Sequence, residues 1–278
     1  MDLKNPIYGE SESDRMHIPT FRLVDRIRTK TVIAGIKYFG VIGLRIVMMK
    51  IFGNKNNRSH LSDTNIDSKQ TIIDKFHLLY VKNNKQTFDN TYWFGNHAVK
   101  CPLDLWIYQE LIYKTKPDFI IETGTNEGGS SLFLANVCDL LNHGEIITVD
   151  IASVKNKPIH PRIHYLQGNS TSSDTIDQIK NILNKKTDKK VMVILDDDHS
   201  EKHVLNEIEI YGKLVTIGNY LIVEDTAMAG HPSYPELPSG PMESVQKYLQ
   251  LHNDFEIDLS CEKFFMTFNP NGFLKKIL

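Results

Sequence analysis

Five short apolar segments that alternate with segments of helical periodicity constrain the fold of this chain more than any other feature. They cover residues 117–122, 145–150, 163–168, 191–195 and 220–224. Strands that are apolar on both faces and separated by helices are typical of a parallel sheet with helices on both sides. The sequence therefore predicts an α/β fold, and such a sheet binds its ligands at the carboxyl ends of the strands.

Four of the predicted strands bring a carboxylate to that edge of the sheet. Glu122, Asp150, Asp196 and Glu224 each stand where an apolar segment ends. A single carboxylate in this position can simply cap the following helix. Four of them together favour a ligand site at the carboxyl edge.

The turn after the first strand reads ETGTNEGG and places its glycines at positions 124, 128 and 129. This spacing differs from the Gly-x-Gly-x-x-Gly pattern of a dinucleotide site, which excludes NAD. The turn, with an acidic residue closing the next strand, resembles the S-adenosylmethionine site of Rossmann-like methyltransferases. Gly124 would let the backbone approach the cofactor, Asp150 would bind the ribose hydroxyls, and Glu122 would place negative charge near the sulfonium.

A second acidic group follows the fourth and fifth strands, in the stretches LDDDHS and VEDT. Its members are Asp196, Asp198, Glu224 and Asp225. Crowded carboxylates repel one another unless a cation or protons intervene, and an all-oxygen set suits a hard cation, for which we favour Mg²⁺. Two alternatives stay open: an iron site that uses His199 and His203, which stand four residues apart, and simple helix capping.

The chemistry of a methyl transfer fits this group. A divalent ion would lower the pKa of an acceptor hydroxyl, and His199 is a candidate base, with a capping or loop role as its alternative. The proline-rich loop 228–241 lies at the same edge and predicts substrate contacts from His231 and Tyr234. From the helix predicted over residues 100–112, Lys100 and Gln109 could also reach the cofactor edge.

A more specific resemblance is carried by WFGNHAVKCPLDLWIYQELIYKTKPDFIIETGTNEGGSSLFLA, LDDDHSEKHVLNEIEIYGKLVTIGNYLIVEDT, GHP, GPMESVQKYL and MTFNPNGFLKKI. Together these stretches are similar to the cephalosporin hydroxylase family, which also contains rhamnosyl O-methyltransferases acting on glycolipids. The similarity runs from about residue 93 to the C-terminus. It implies a Rossmann-like class I methyltransferase fold, with a seven-stranded, mostly parallel sheet and a C-terminal antiparallel hairpin. Asn271 and Gly272, between two apolar runs, are a turn signal for that hairpin.

The resemblance also implies a function and its residues. The function is Mg²⁺-dependent transfer of a methyl group from S-adenosylmethionine to a hydroxyl of a saccharide, on a glycolipid or polysaccharide; a metal-dependent oxygenase of a small natural product is the alternative. The residues assigned to the cofactor are Glu122, Gly124, Thr125, Gly128, Ser130, Asp150, Gly168, Asn169 and Ser170.

The metal ligands that the resemblance implies are Asp196, Glu224 and Asp225. We take Asp196 and the candidate base His199 as the catalytic residues. Asp198 stays open as the first ligand in place of Asp196. We prefer Asp196 because it closes its strand and because its spacing of 28 residues to Glu224 is similar to that in other Mg²⁺-dependent O-methyltransferases.

The N-terminal part of the chain has a different character. Residues 26–58 contain eight basic residues and no acidic one. Within them, residues 31–53 are apolar but are divided by Lys37, Arg45 and Lys50 into runs too short to span a bilayer. A packed helix and a helix in a membrane interface both fit this pattern. We therefore predict a basic helical extension and linker over residues 1–70 and a methyltransferase domain over residues 71–278.

Composition limits the partners and the compartment. A formal net charge of -2 with 41% hydrophobic residues indicates neither a nucleic-acid-binding protein nor a disordered one. The three cysteines are scattered, and the first residues lack the pattern of a signal peptide. We expect a cytoplasmic homo-oligomer, with peripheral membrane contact through residues 26–58 as a further hypothesis.

Overall fold

The computed structural model describes residues 68–153 and 156–278. The predicted basic extension, its apolar helix over residues 31–53 and nearly all of its linker lie outside the described residues. The predicted boundary at residue 70 and the membrane contact therefore stay predictions.

The described chain alternates helices and strands as the sequence predicts. The helices are α1 (Lys69–Lys82), α2 (Pro102–Thr115), α3 (Gly129–Leu141), α4 (Ser173–Leu183), α5 (Glu201–Tyr211) and α6 (Pro241–Leu251). The strands are β1 (Tyr92–Trp93), β2 (Asn96–His97), β3 (Phe119–Thr123), β4 (Glu145–Asp150), β5 (Ile163–Gln167), β6 (Val191–Leu195), β7 (Tyr220–Val223), β8 (Phe255–Ile257) and β9 (Phe273–Lys276).

Seven of the strands form one sheet in the order β5-β4-β3-β6-β7-β9-β8. The strands β3 to β7 pair in parallel, whereas β9 runs antiparallel to both β7 and β8. Chain order reverses between β3 and β6, which makes their carboxyl ends the switch point where such sheets bind ligands. The predicted seven-stranded, mostly parallel α/β sheet is confirmed.

The central strands are apolar on both faces because each face packs against its own layer of helices. Along β3, Ile121 belongs to the hydrophobic cluster formed with α4, α5 and α6. Its neighbour Ile120 belongs to the opposite cluster, formed with α2 and α3. Since successive side chains of a strand point to opposite faces, both kinds of position must be apolar. None of the helices in the described part has the length and apolar character needed to cross a bilayer.

The C-terminal antiparallel pair is present, but its connection differs from the tight turn that the sequence suggests. The partner of β9 is β8, and residues 258–272 separate the two strands. The apolar run before Asn271 is not a strand, because its backbone bonds elsewhere: the amide of Phe268 donates to Asp104 at 3.0 Å, and its carbonyl accepts from Ala227 at 3.1 Å. Asn271 and Gly272 instead lie in a turn directly before β9.

Candidate active site

A cavity of about 920 Å³ opens at the carboxyl ends of the parallel strands. Its lining includes Gly124 after β3, Asp150 at the end of β4, Gly168 after β5, Asp196 after β6 and Glu224 after β7. The five strand ends therefore converge on a single cavity, at the edge of the sheet that the sequence predicts.

The glycine turn between β3 and α3 is packed too closely for side chains at two of its positions. Gly124 has φ +83°, and a Cβ there would lie 1.8 Å from the backbone oxygen of Asp196. A Cβ on Gly129 would lie 2.2 Å from the carbonyl oxygen of His97. These close approaches leave no room for a side chain at either position, which explains why glycine is needed. The approach of Gly124 also places the turn directly beside the end of β6.

Asp150 lines the cavity with both of its oxygens already oriented by backbone donors. Its Oδ2 accepts from the amide of Asn126 at 2.9 Å, and its Oδ1 accepts from the amide of Ala152 at 2.8 Å. Each carboxylate oxygen has a second lone pair, so a diol in the cavity can still donate to this side chain. The geometry suits the role predicted for Asp150.

Three residues predicted to bind the cofactor do not line the cavity. Glu122 is fully buried, and it accepts hydrogen bonds from Ser131 and, at 2.8 Å, from Thr148. Thr125 is buried against Thr148 at 2.7 Å, and Gly128 is the residue before α3 with φ +81°. Glu122 faces away from the cavity because side chains alternate along a strand. It lies on the same face of β3 as Ile120, and that face packs against α2 and α3.

Glu122, Thr125 and Gly128 thus lie behind the cavity wall, and their role in cofactor binding stays a prediction. Burial raises the pKa of Glu122, although Lys100 and the hydroxyl donors oppose this. The predicted residue Ser130, which is nearly buried, does line the cavity at the start of α3.

The exit of β5 contributes the other predicted cofactor residues. Gly168, Asn169 and Ser170 all line the cavity. The Oδ1 of Asn169 accepts from the amide of Thr171 at 2.8 Å, which fixes the loop, and Ser170 Oγ lies 3.2 Å from His203 Nε2. This side of the cavity is lined by small and polar residues.

Asp196, His199 and Asp225 form the group that we call the acid cluster. One ligand atom from each of the three lies within 4.8 Å of the other two. His199 Nε2 is 3.4 Å from Asp196 Oδ1 and 3.0 Å from Asp225 Oδ2. Burial opposes the charge of His199, but its hydrogen bonds to the two carboxylates raise its pKa well above the ordinary value.

Glu224 reaches the same place but is held by a lysine. Lys100 is buried, and its Nζ contacts Asp196 and lies 2.8 Å from Glu224 Oε2. The other oxygen of Glu224, Oε1, is buried and accepts no hydrogen bond. Burial and the neighbouring Asp196 raise the pKa of Glu224 to about 8. Sequence reasoning brought Lys100 to this edge but did not predict its ion pairs.

These donors fit a hard divalent cation. Asp196 and Asp225 offer carboxylate oxygens at the cluster, and the unpaired Oε1 of Glu224 is a buried acceptor that lacks a positive partner. A buried carboxylate oxygen in this condition is unfavourable unless a donor or a cation satisfies it. Mg²⁺ prefers such oxygen ligands.

The carboxylate of Asp198 bonds to the backbone and lies outside the acid cluster. Its Oδ1 accepts from the amide of Ser200 at 2.8 Å, directly before α5, and hydrogen bonds to Ser200 lower its pKa. It borders the cavity but is not part of the acid cluster. The structure thus favours Asp196 over Asp198 as the first ligand, because Asp198 bonds to the backbone of Ser200 in the turn before α5.

A second group of possible ligands, which sequence reasoning missed, consists of Asp197, His203 and Glu207. Glu207 is fully buried and neither of its oxygens makes a hydrogen bond. His203 lies 3.2 Å from Asp197 Oδ1. His199 and His203 therefore belong to separate clusters, which disfavours the iron site that would need both of them.

The two predicted substrate contacts have different outcomes. Tyr234 lines the cavity. His231 does not, because its Nε2 pairs with Glu243 Oε1 at 2.7 Å, at the start of α6. The pair joins the loop 228–241 to that helix, and the substrate contact of His231 stays a prediction.

The fold and the site together define a Rossmann-like sheet of the methyltransferase type. A ligand-free structure of CmcI has the same fold, with a TM-score of 0.53 at 18% identity, covering 68% of this chain and 76% of CmcI. A structure of CmcI with Mg and SAM gives a TM-score of 0.50 at 18% identity, covering 68% of this chain and 77% of the other.

The chain belongs to the Rhamnosyl O-methyltransferase/CmcI family, whose profile matches residues 85–277. It is 36% identical to a rhamnosyl O-methyltransferase of Mycobacterium leprae over 211 residues, which is 73% of this chain and 90% of that protein. It is 34% identical to a rhamnosyl O-methyltransferase of Mycobacterium tuberculosis (strain H37Rv) over 212 residues, 73% of this chain and 84% of that protein. The predicted family, and with it the enzyme class of O-methyltransferase, is confirmed.

Proposed function

We propose that the protein transfers a methyl group from S-adenosylmethionine to a hydroxyl of a saccharide, with Mg²⁺ as the metal, and that a glycolipid or polysaccharide carries the acceptor. One observation carries this proposal: Asp150 and the acid cluster open into the same cavity. The mycobacterial relatives are named for rhamnosyl O-methylation, and CmcI has been solved with Mg and SAM. Both support the proposal.

The cofactor would lie across the glycine turn. S-adenosylmethionine supplies a methyl group on a cationic sulfonium, so the protein needs only to hold it and to orient the acceptor oxygen in line. Asp150 orients the ribose, and Gly124 lets the chain approach closely. Gly168, Asn169 and Ser170 border the adenine side.

The acid cluster would orient the acceptor. When bound, Mg²⁺ supplies Lewis acidity that lowers the pKa of a hydroxyl, and Asp196, Asp225 and Glu224 are the residues that would hold it. His199 stands between the first two, whose carboxylates raise its pKa. A cation held by these carboxylates would oppose the charge of His199, and its neutral imidazole would then be placed to accept the hydroxyl proton. Tyr234 and the loop 228–241 would contact the saccharide from the open side.

Calorimetry on metal-stripped protein tests the site, first with S-adenosylmethionine and then with Mg²⁺. We expect Asp150→Ala to abolish cofactor binding, while Asp174→Ala, an exposed acid in the first turn of α4, leaves it unchanged. We expect Asp196→Asn to abolish Mg²⁺ binding, whereas Asp198→Asn retains it. Wild-type protein that binds no cofactor, with or without metal, would refute the proposal and favour the oxygenase.

The acceptor requires an activity measurement. We expect labelled methyl groups to be transferred to a rhamnosyl glycolipid, and chelation of Mg²⁺ to stop the transfer. Full activity after chelation would contradict the metal dependence, and no transfer to saccharide acceptors of any kind would contradict the substrate class.

The membrane contact proposed for residues 26–58 has its own test. The full chain should float with anionic liposomes, because basic and apolar side chains together bind anionic surfaces. A chain without residues 1–60 should not float with them. Equal flotation of both chains would remove this hypothesis. Sedimentation of the purified protein tests the proposed homo-oligomer.

A further inference from the structure

Lys100 occupies an unusual position for a lysine. It is the one lysine among residues 68–153 and 156–278 whose side chain is buried, with 4% of its surface exposed. Its Nζ donates to Asp196 and, at 2.8 Å, to Glu224. A buried ammonium group is strongly unfavourable unless carboxylates surround it, so these two contacts are what keep Lys100 in place.

The ammonium group uses only one oxygen of each carboxylate. On Asp196 the contact is made by Oδ2, while Oδ1 faces His199 at 3.4 Å. On Glu224 it is made by Oε2, while Oε1 is buried without a hydrogen bond. One oxygen of each side chain thus makes no contact with Lys100.

The charged groups around these carboxylates are a second argument. Lys100 contacts Asp196 and Glu224, whereas His199 contacts Asp196 and Asp225. Among the residues that the structure describes, Glu224 forms an ion pair with Lys100 alone. Two cations that share the same carboxylates repel each other at short range, and this repulsion is weakly screened in a buried site.

We propose that Lys100 is an internal counter-ion of the metal site, which holds Asp196 and Glu224 when the metal is absent and sets the metal affinity by competing for them. This inference rests on the proposed function, because it concerns the same Mg²⁺ site. It assigns to Lys100 a positioning role and no contact with the reacting atoms.

The test is Lys100→Met, which keeps the length of the side chain and removes its charge. We expect the variant to bind Mg²⁺ roughly tenfold more tightly in calorimetry, because the competing charge is gone. We also expect its melting temperature without metal to fall, and Mg²⁺ to raise it by more than in the wild type. Lys186→Met is the matched control, since Lys186 pairs with the buried Asp118 at 2.5 Å, and its Mg²⁺ affinity should equal that of the wild type.

The outcomes separate this inference from the proposed function. If the wild type binds Mg²⁺ and Lys100→Met binds it equally or more weakly, the counter-ion role is wrong while the metal site stands. If the wild type binds no Mg²⁺ at all, both are wrong.

A second measurement decides the matter if Lys100→Met does not fold. In wild-type protein with labelled lysine nitrogen, the buried ammonium group exchanges its protons slowly and gives a persistent resonance, which Lys100→Arg assigns by its disappearance. We expect Mg²⁺ to shift this resonance and the shift to saturate together with calorimetric binding. A resonance that does not respond to saturating Mg²⁺ would overturn the inference.

Discussion

Gly124 and Asp196 touch through their backbones where β3 and β6 end, because a Cβ on Gly124 would fall 1.8 Å from the carbonyl oxygen of Asp196. The amide of Asp196 also donates to the carbonyl of Thr123 at 3.2 Å. The turn assigned to the cofactor and the strand end assigned to the metal are thus one packed unit. A displacement of either should disturb both sites.

This contact predicts a large effect of Gly124→Ala. The substitution needs both a positive φ and a shift of the backbone, so we expect a loss of about 3 kcal/mol or more in the free energy of unfolding, with weaker binding of cofactor and metal. Gly218→Ala is the control, because Gly218 has the same φ of +83° with open space around it. It should lose only about 1 kcal/mol. Equal losses in urea unfolding would contradict the role of the contact.

The position of His199 predicts its effect on the rate. With Nε2 between Asp196 and Asp225, its loss should lower kcat about 100-fold, because a placed general base typically contributes that much. We expect His199→Gln to keep the affinity for S-adenosylmethionine, since Asp150 ends β4, which β3 separates from the strand before His199. His203→Gln is the matched control and should affect cofactor binding through Ser170 more than kcat. A His199 variant with the wild-type kcat would exclude it as the base.

The residues that the sequence predicts well are those whose roles follow from local patterns. Asp150 and Gly124 stand at strand ends, where strand alternation and the geometry of a tight turn fix both the place and the type of residue. The order of helices and strands follows for the same reason. Glu122 shows the limit of this reasoning, because the strand end is right but the side chain points to the covered face of the sheet.

The interactions that the sequence does not predict join distant residues. Lys100 pairs with residues 96 and 124 positions away, and no local pattern indicates such partners. His231 was expected at the substrate but pairs with Glu243, since a polar loop residue takes whichever partner the folded loop provides. The misplaced hairpin turn has a similar origin, because Asp104 binds the backbone of the run that was expected to form a strand.

Glu207 predicts a dependence of stability on pH. Burial and the charge of Asp197 raise its pKa to about 9. The folded protein therefore holds a proton that the unfolded chain releases above about pH 4.5, and the free energy of unfolding falls as the pH rises between these two values. Glu207→Gln removes the ionisation, so we expect the variant to be more stable than the wild type by about 2 to 3 kcal/mol at pH 7, with a smaller difference at pH 5.

Urea unfolding at pH 5, 6, 7 and 8 checks this prediction. Glu209→Gln is the control, because Glu209 lies on the same helix, pairs with His252 and is 38% exposed. Its stability relative to the wild type should not follow the trend of Glu207→Gln. A constant difference between Glu207→Gln and the wild type over the whole range would show that Glu207 is ionised in the folded protein.

The hydrogen bonds that Asp104 accepts predict that this side chain stabilises the C-terminal loop beside the active site. It is buried at the start of α2, where Oδ1 accepts from Thr267 Oγ1 at 2.5 Å and Oδ2 accepts from the amide of Phe268 at 3.0 Å. Asp104→Ala leaves both donors buried without an acceptor, so we expect a loss of about 3 kcal/mol in the free energy of unfolding. Thr267→Val removes one donor and also the acceptor of the Asn269 amide, so it should lose about 2 kcal/mol.

The two substitutions should not be additive, because they remove the same hydrogen bond. In a double-mutant cycle measured by urea unfolding, we expect Asp104→Ala with Thr267→Val to lose less than the sum of the single variants, by about 0.5 to 1 kcal/mol. Asp104 also borders the cavity, and Phe268 packs against Tyr80 and Phe88. Fully additive losses would mean that the contact between Asp104 and Thr267 does not stabilise the loop.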